Sequence, residues 1–259
     1  MKIVGDVEVF LIARPEIDWE ELRSYLEKVG GDEWFQKKLD EDCPDAEVLV
    51  EAAGRLCYRS WEPGLNKNVT KIRTDRGQYL ENLLESGHGS VLEHANFTFV
   101  LHNATRVLTA ELNRHRAGVA ISEQSMRYVR LDDIPFRPPP TVSQTTQDQM
   151  LASIEMMESW VRECVEREIK DDMSFSEKKT KTSAIRRMIP MGVATEMVWT
   201  ANIRTIRHVI EMRSAAGAEE EIRIFAKQLH AIMYREAPLL FDDYTEQGDG
   251  SLTTEYRKV

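Results

Sequence analysis

Apolar and polar positions change period along the chain, and the changes delimit elements. Val7, Val9 and Leu11 alternate with Glu8 and Phe10 ahead of Pro15, which predicts a strand of the main sheet. From Trp19 to Val29 the spacing turns helical: Leu22 and Leu26 stand four apart, Asp18 followed by Glu21 forms a capping signal, and Gly30-Gly31 is the stop. Residues 32 to 45 are charged and predict a partly helical excursion. A second helix is expected from Ala46 to Tyr58 with Val48, Ala52 and Leu56 on one stripe, ended by Trp61 to Gly64. After a polar surface loop at Asn66 to Arg73, Thr74 or Asp75 can cap a third helix that turns Leu80, Leu83 and Leu84 inward and closes at Gly87. Asn96 to Leu101 alternates as a strand, and Thr105 to Asn113 returns to helical spacing, so that residues 114 to 128 leave a helix as a loop. Pro135 and Pro138 to Pro140 mark a stiff extended connection. Met150, Ile154, Met157, Val161 and Val165 then predict a long helix whose methionines and Trp160 belong to a core, followed by a Lys-rich turn at Lys178 to Lys181. Two further helices are expected, one placing Ile206 and Ile210 on a face opposite Arg204 and His208, the other carrying Ile222, Phe225, Leu229 and Met233. The last fifteen residues read as frayed.

This mixture predicts an α+β subunit, a central antiparallel-rich sheet with flanking helices. With 259 residues it forms one domain: an N-terminal extension over 1–45, a principal region over 46–245 and a flexible tail over 246–259. Charge narrows the function. The 34 Lys and Arg against 44 Asp and Glu leave a net charge of -10, which opposes nonspecific attraction to nucleic acid or anionic membrane. An anionic ligand therefore needs a local basic pocket. Cys43, Cys57 and Cys164 are widely spaced, so neither a disulfide framework nor a zinc site is expected; the sequence fits a soluble cytoplasmic protein.

Arg114, Arg116 and Arg127 supply three cations within a short stretch that also holds His115, Ser122, Glu123 and Ser125. Guanidinium forks match phosphate oxygens while the hydroxyls and the carboxylate can bind a sugar, so the pattern reads either as a site for a phosphorylated sugar or nucleotide or as a solvated basic face. His88, Glu93 and His94 lack the spacing of a metal-binding helix and are read as hydrogen-bonding groups, with no metal site expected.

Four blocks in order resemble the flavin-dependent thymidylate synthases over roughly residues 46 to 245: Ala53-Gly-Arg-Leu-Cys-Tyr58, His88-Gly-Ser-Val-Leu-Glu-His94 running on to Phe99, Arg114-His-Arg116 with Ser125 and Arg127-Tyr128, and Trp199-Thr-Ala-Asn-Ile-Arg204 followed by Arg213. The resemblance implies a homotetramer with shared active sites that binds FAD between subunits. It also implies transfer of a methylene from methylenetetrahydrofolate to C5 of a uridine monophosphate, with NADPH as reductant. Carried over residue by residue, it implies flavin contacts from Ser90, Glu93, Arg114, His115, Arg116, Ser122, Glu123, Asn202, Arg204 and His208. The nucleotide side falls to Glu111, Arg114, Glu123, Gln124, Ser125, Met126, Arg127, Arg186 and Arg213. The resemblance further implies that Arg213 meets the pyrimidine, that His88 lies near the flavin ring, and that Ser125 occupies the place once considered for a nucleophile, though it is read as a binding hydroxyl because no base adjoins it. The three cysteines offer no substitute nucleophile, since Cys57 and Cys164 are expected to be buried and Cys43 lies in an acidic segment.

Three positions depart from the family pattern. Ala117 to Gln124 contains one residue more than its usual spacing, Gly217 replaces a common histidine, and Ser122 a common asparagine. The implied substrate is dUMP, with UMP as the variant that an enlarged loop admits. An inactive flavin- or nucleotide-binding protein is the reading from another class, and the retained arginine, histidine and serine set argues against it.

Overall fold

The computed structural model describes residues 1–69, 71–126, 134–257 and 259. The chain opens with strands β1 (Lys2–Ile3) and β2 (Glu8–Ala13) and helices α1 (Trp19–Val29), α2 (Asp32–Asp40), α3 (Asp45–Tyr58) and α4 (Arg76–Glu85). A 3-10 turn at Gly89–Glu93 leads into β3 (Asn96–Thr105), α5 (Arg106–Leu112), β4 (Val119–Glu123) and β5 (Pro135–Phe136). Then come α6 (Gln144–Glu168), α7 (Phe175–Ile185), β6 (Ala194–Asn202), α8 (Ile203–Ser214), α9 (Glu220–Glu236) and the hairpin β7 (Thr245–Glu246) and β8 (Leu252–Thr253). The boundaries follow local chemistry. The Asp18 carboxylate accepts the Glu21 N–H at the start of α1, Asp75 accepts the Gln78 N–H at the start of α4, and Gly30 takes the left-handed conformation that ends α1.

Four strands form an antiparallel sheet in the order β2-β3-β6-β4, in agreement with the expected class. Phe97, Phe99 and Leu101 on β3 and Met197, Trp199 and Ala201 on β6 alternate toward one face, where Ile206, Val209 and Ile210 of α8 and Phe225, Leu229 and Met233 of α9 cover them. Phe99 and Trp199 are register partners with ring centroids 5.8 Å apart, and Phe225 meets the edge of Trp199 at 5.9 Å. The opposite face leaves Phe10 and Val198 exposed. A second cluster of Leu26, Trp34, Phe35, Val48 and Trp61 joins α1 to α3, and a third of Ile134, Phe136, Ile154 and Val193 lies beside α6.

Several elements differ from the pattern-based expectation. Residues 194–202, read only as the approach to a helix, form β6, which pairs with both β3 and β4. Residues 119–123, expected to be loop, form β4, because Val119 to Glu123 finds a complete ladder along β6. Lys178 to Lys181 lie inside α7, started by a reciprocal capping box between Ser174 and Glu177. Only one side of α6 is covered, by way of Ile154 and Val161, so Met156 and Trp160 are exposed instead of core. Leu56 and Cys57 are likewise exposed and Cys164 is half-buried, because α3 packs through Ala46, Val48, Val50 and Gly54. The end of the chain packs: Leu252 and Val259 join the main core, and Ser214 and Leu252 exchange hydrogen bonds.

Helix α3 carries a fully buried acid, Glu47, whose Oε1 accepts the Leu239 N–H at 2.7 Å and whose Oε2 has no hydrogen-bond partner among the described residues. Burial pushes this carboxyl up to about 7 from its ordinary 4.5. A folded-state value above the unfolded one means that its stability contribution is full below 4.5 and is lost as pH rises through about 7. Glu47→Gln keeps the acceptor and removes the titration. Denaturant melts are expected to show the variant gaining up to about 3 kcal/mol over the parent between pH 4.5 and pH 8. A constant difference across that range would refute the assignment.

Candidate active site

The junction between β6 and α8 organises the principal cleft. Asn202 ends the strand and caps the helix, its Oδ1 accepting the Thr205 N–H at 2.9 Å. The segment before β4 crosses this helix start: Thr205 Oγ1 donates to the Ala117 carbonyl at 2.7 Å and the Asn202 N–H donates to the Gly118 carbonyl at 3.3 Å. Gly118 has φ of 67°, and a Cβ there would stand 2.1 Å from Asn202 Nδ2, so only glycine permits the crossing. The cleft has a volume of about 600 Å³, and its walls bring together Glu93, Arg114, His115, Arg116, Asn202, Arg204 and His208, seven residues singled out from the sequence.

Arginines outnumber carboxylates on these walls, and the N-terminus of α8 adds partial positive charge. Arg204 is ion-paired to Glu93 at 2.6 Å and lies against Gly89, where a Cβ would come within 2.7 Å of its Nε. His115 and His208 meet edge to face at 5.5 Å. Arg213, one turn and a half further along α8, donates from Nε to His115 Nε2 at 2.8 Å, pairs through Nη1 with Glu111 Oε2 at 2.6 Å, and donates from Nη2 to the Glu111 carbonyl at 3.1 Å. Burial, reinforced by the Arg213 charge and by His208, pulls His115 down to about 4. His115 is thus neutral at physiological pH, and because Nε2 accepts from Arg213, Nδ1 carries its proton.

A second cleft, of about 430 Å³, lies at the other end of β4 and is lined by Glu123, Gln124, Ser125, Met126 and Arg186, with Arg106, Arg187 and Pro190. Strand β4 spans five residues, so the two clefts are separated by roughly 14 Å of extended backbone at about 3.4 Å per residue. His88 stands apart from both. It meets Tyr58 through Nε2 at 3.2 Å beside a hollow that Arg55, Lys71, Arg73 and Tyr79 also line. Ser90 and Ser122 are exposed and line neither cleft. Arg127 lies outside the described residues.

Sequence reasoning passed over Arg106, Thr109, Arg187, Thr205 and Tyr58. Arg106 carried a readable signal, since it follows the cap residue Thr105 directly and puts a cation in the first turn of α5, where the helix dipole disfavours one. Among the described residues no three His, Cys, Asp or Glu side chains gather into a metal site, and no helix is long and apolar enough to cross a membrane.

Comparison with known proteins identifies the family. Residues 38–239 match the family model described as thymidylate synthase complementing protein. A flavin-dependent thymidylate synthase of Corynebacterium diphtheriae is 30% identical over 231 residues, covering 86% of this chain and 88% of that protein. One from Mycobacteroides abscessus is 31% identical over 244 residues, covering 90% and 85%. Among solved structures, a UMP/dUMP methylase PolB from Streptomyces cacaoi bound with 5-Br UMP has the same fold, with a TM-score of 0.63 at 17% identity over 97% of this chain and 99% of that one. The four sequence blocks, the cationic cleft on which three of them converge and the extent of these matches lead to one conclusion: the chain is an enzyme of the flavin-dependent thymidylate synthase family.

Proposed function

We propose that this enzyme methylates C5 of a uridine 5′-monophosphate, dUMP in the first place, using methylenetetrahydrofolate as carbon donor and NADPH as reductant, with FAD as bound cofactor. The observation that carries the reading is the pair of cationic clefts at the two ends of β4, the larger lined by residues of three sequence blocks and the smaller by the end of the Arg114 to Tyr128 block together with Arg106, Arg186 and Arg187. The larger one suits a flavin dinucleotide. Arg114, Arg116 and Arg204 supply cations for its phosphates, and Gly118 lets the chain that carries them pack directly on the start of α8. A flavin held there and reduced by NADPH would supply the hydride that completes the methyl group.

The chain's own residues account for binding and polarisation. The α8 N-terminus attracts the anionic part of the cofactor, and the Arg204–Glu93 pair holds one guanidinium against the wall. Neutral His115 offers an N–H instead of a second positive charge, and its orientation is set by Arg213. Arg213 is the group we assign to polarising the pyrimidine, because its guanidinium already bridges His115 and Glu111 and costs little reorganisation. Arg186, Ser125 and Glu123 hold the phosphate and sugar of the nucleotide in the second cleft, and Arg127 belongs to the same proposal. Assembly as a homotetramer is part of this reading, supported by the exposed Phe10 and Val198 on the sheet and Met156 and Trp160 on α6.

Purified protein should carry the visible spectrum of bound FAD, and parallel incubations of dUMP and UMP with methylenetetrahydrofolate and NADPH should give a methylated nucleotide from dUMP. Product from UMP as well would extend the substrate range. A colourless protein that takes up no added FAD would remove the proposal.

A further inference from the structure

We propose that Arg106 is a positioning residue for the nucleotide cleft, holding the Glu123 carboxylate so that one of its oxygens stays open to a ligand hydroxyl or N–H. The inference rests on the uridine-monophosphate reading of that cleft. Arg106 is the first residue of α5, a position where the helix dipole favours acids, and no acid occupies that turn. Its Nη1 donates to Glu123 Oε1 at 3.1 Å and its Nη2 to the Gln124 carbonyl at 2.7 Å, with a longer contact of 3.4 Å to Thr195 Oγ1. One side chain therefore ties α5, β6 and the end of β4 together. Thr109, one turn along α5, donates to the same Glu123 Oε1 at 2.9 Å. Both donors converge on Oε1, and among the described residues Oε2 accepts no hydrogen bond.

Arg106 and Glu123 are partly exposed in the cleft wall, whereas Arg106 Nε is buried with no hydrogen-bond partner among the described residues. A buried unpaired donor lowers stability, which argues against stability alone as the reason for this arginine. With Arg106 engaged by Glu123, Arg186 and Arg187 provide the remaining guanidiniums of the cleft among the described residues. Two guanidiniums and one open carboxylate oxygen match a ligand with a dianionic phosphate at one end and a hydroxyl or N–H donor further along, which is the chemistry of a nucleoside monophosphate.

The test uses the full-length, flavin-loaded enzyme with Arg106→Met, Arg106→Lys, Glu123→Gln and the double variant R106M/E123Q. Dissociation constants for dUMP and UMP are measured by equilibrium titration alongside kcat, KM and flavin content. Arg106→Met should weaken nucleotide binding by about 10- to 100-fold, the range for losing a charge-assisted contact, while flavin content and kcat at saturating nucleotide stay near the parent's. Arg106→Lys should recover only part of the loss, since an ammonium lacks the planar fork that spans Glu123 and Gln124. The double variant should bind no more weakly than the poorer single variant, because both changes remove one arrangement. Additive losses, parental affinity in Arg106→Met, or loss of flavin ahead of nucleotide would overturn the inference. Failure of the underlying reading looks different: the unaltered enzyme would itself bind neither nucleotide.

Discussion

Arg213→Ala lowers kcat for nucleotide methylation by about 10²- to 10³-fold and leaves the flavin bound, the size of effect seen when one preorganised charged donor is removed from a reacting oxygen. Two observations separate these outcomes. Arg213 is not among the residues lining the large cleft, whose cations are Arg114, Arg116 and Arg204. Its guanidinium instead joins His115 to Glu111. Losing it also removes a positive charge that holds the His115 pKa near 4, so His115 should then titrate at higher pH and the variant's residual activity should fall on a more alkaline acid limb. Absorbance of the purified variant and its pH profile read the two effects separately. A colourless variant whose reconstituted form turns over at the parental rate would show that Arg213 serves the cofactor and not the pyrimidine.

Gly118→Ala is the second large effect, and it acts on structure. A left-handed backbone at a residue with a Cβ costs about 1–2 kcal/mol. The added methyl would also stand 2.1 Å from Asn202 Nδ2 and 2.8 Å from Thr205 Oγ1, the two side chains that fix the start of α8. Either the cap opens or β4 lifts away from β6, and both displace Arg114 to Arg116 from Arg204 and His208. A total loss of about 3–4 kcal/mol corresponds to roughly 10 °C in Tm for a chain of this size, with flavin retention falling in parallel. Melting and flavin content equal to the parent's would mean that β4 does not cross the helix as described.

Elements whose signals are local were legible in the sequence. Helices α1 and α4 announced themselves through Asp18 and Asp75, and β2 and β3 through alternation, because caps and inward apolar residues act over a few positions. Strand β6 was not legible for a physical reason: it passes into α8 at Asn202 with no glycine or proline between, so the helical period of Ile206 and Ile210 masked the two-residue alternation of Met197, Trp199 and Ala201. Strand β4 is five residues long and is defined by its ladder to β6, a contact that no local pattern encodes. Helix α7 buries nothing and rests on its capping box, so periodicity could not find it.

The resemblance by itself parts the signature, Arg114 to Arg116 toward a flavin and Glu123 to Arg127 toward a nucleotide, but the stretch between them reads as loop. The fold divides them, with Arg114 to Arg116 beside α8 and Glu123 to Met126 beside Arg106 and Arg186, because a strand and not a loop separates them. The stretch from Ala117 to Gln124 therefore runs in and beside a hydrogen-bonded edge strand, whose register sets how far apart the two clefts lie and which way its side chains face.

Helix α8 has a third arginine of consequence, on its buried side. Arg207 is enclosed, its guanidinium forked onto Asp243 at 2.7 and 2.8 Å and within reach of Thr254, while Arg204 and His208 on the other side face the cleft. The helix is thereby keyed from behind to the C-terminal segment. Substitution at Asp243 or Thr254 is therefore expected to loosen the helix that carries Arg204 and His208 without touching the cleft itself.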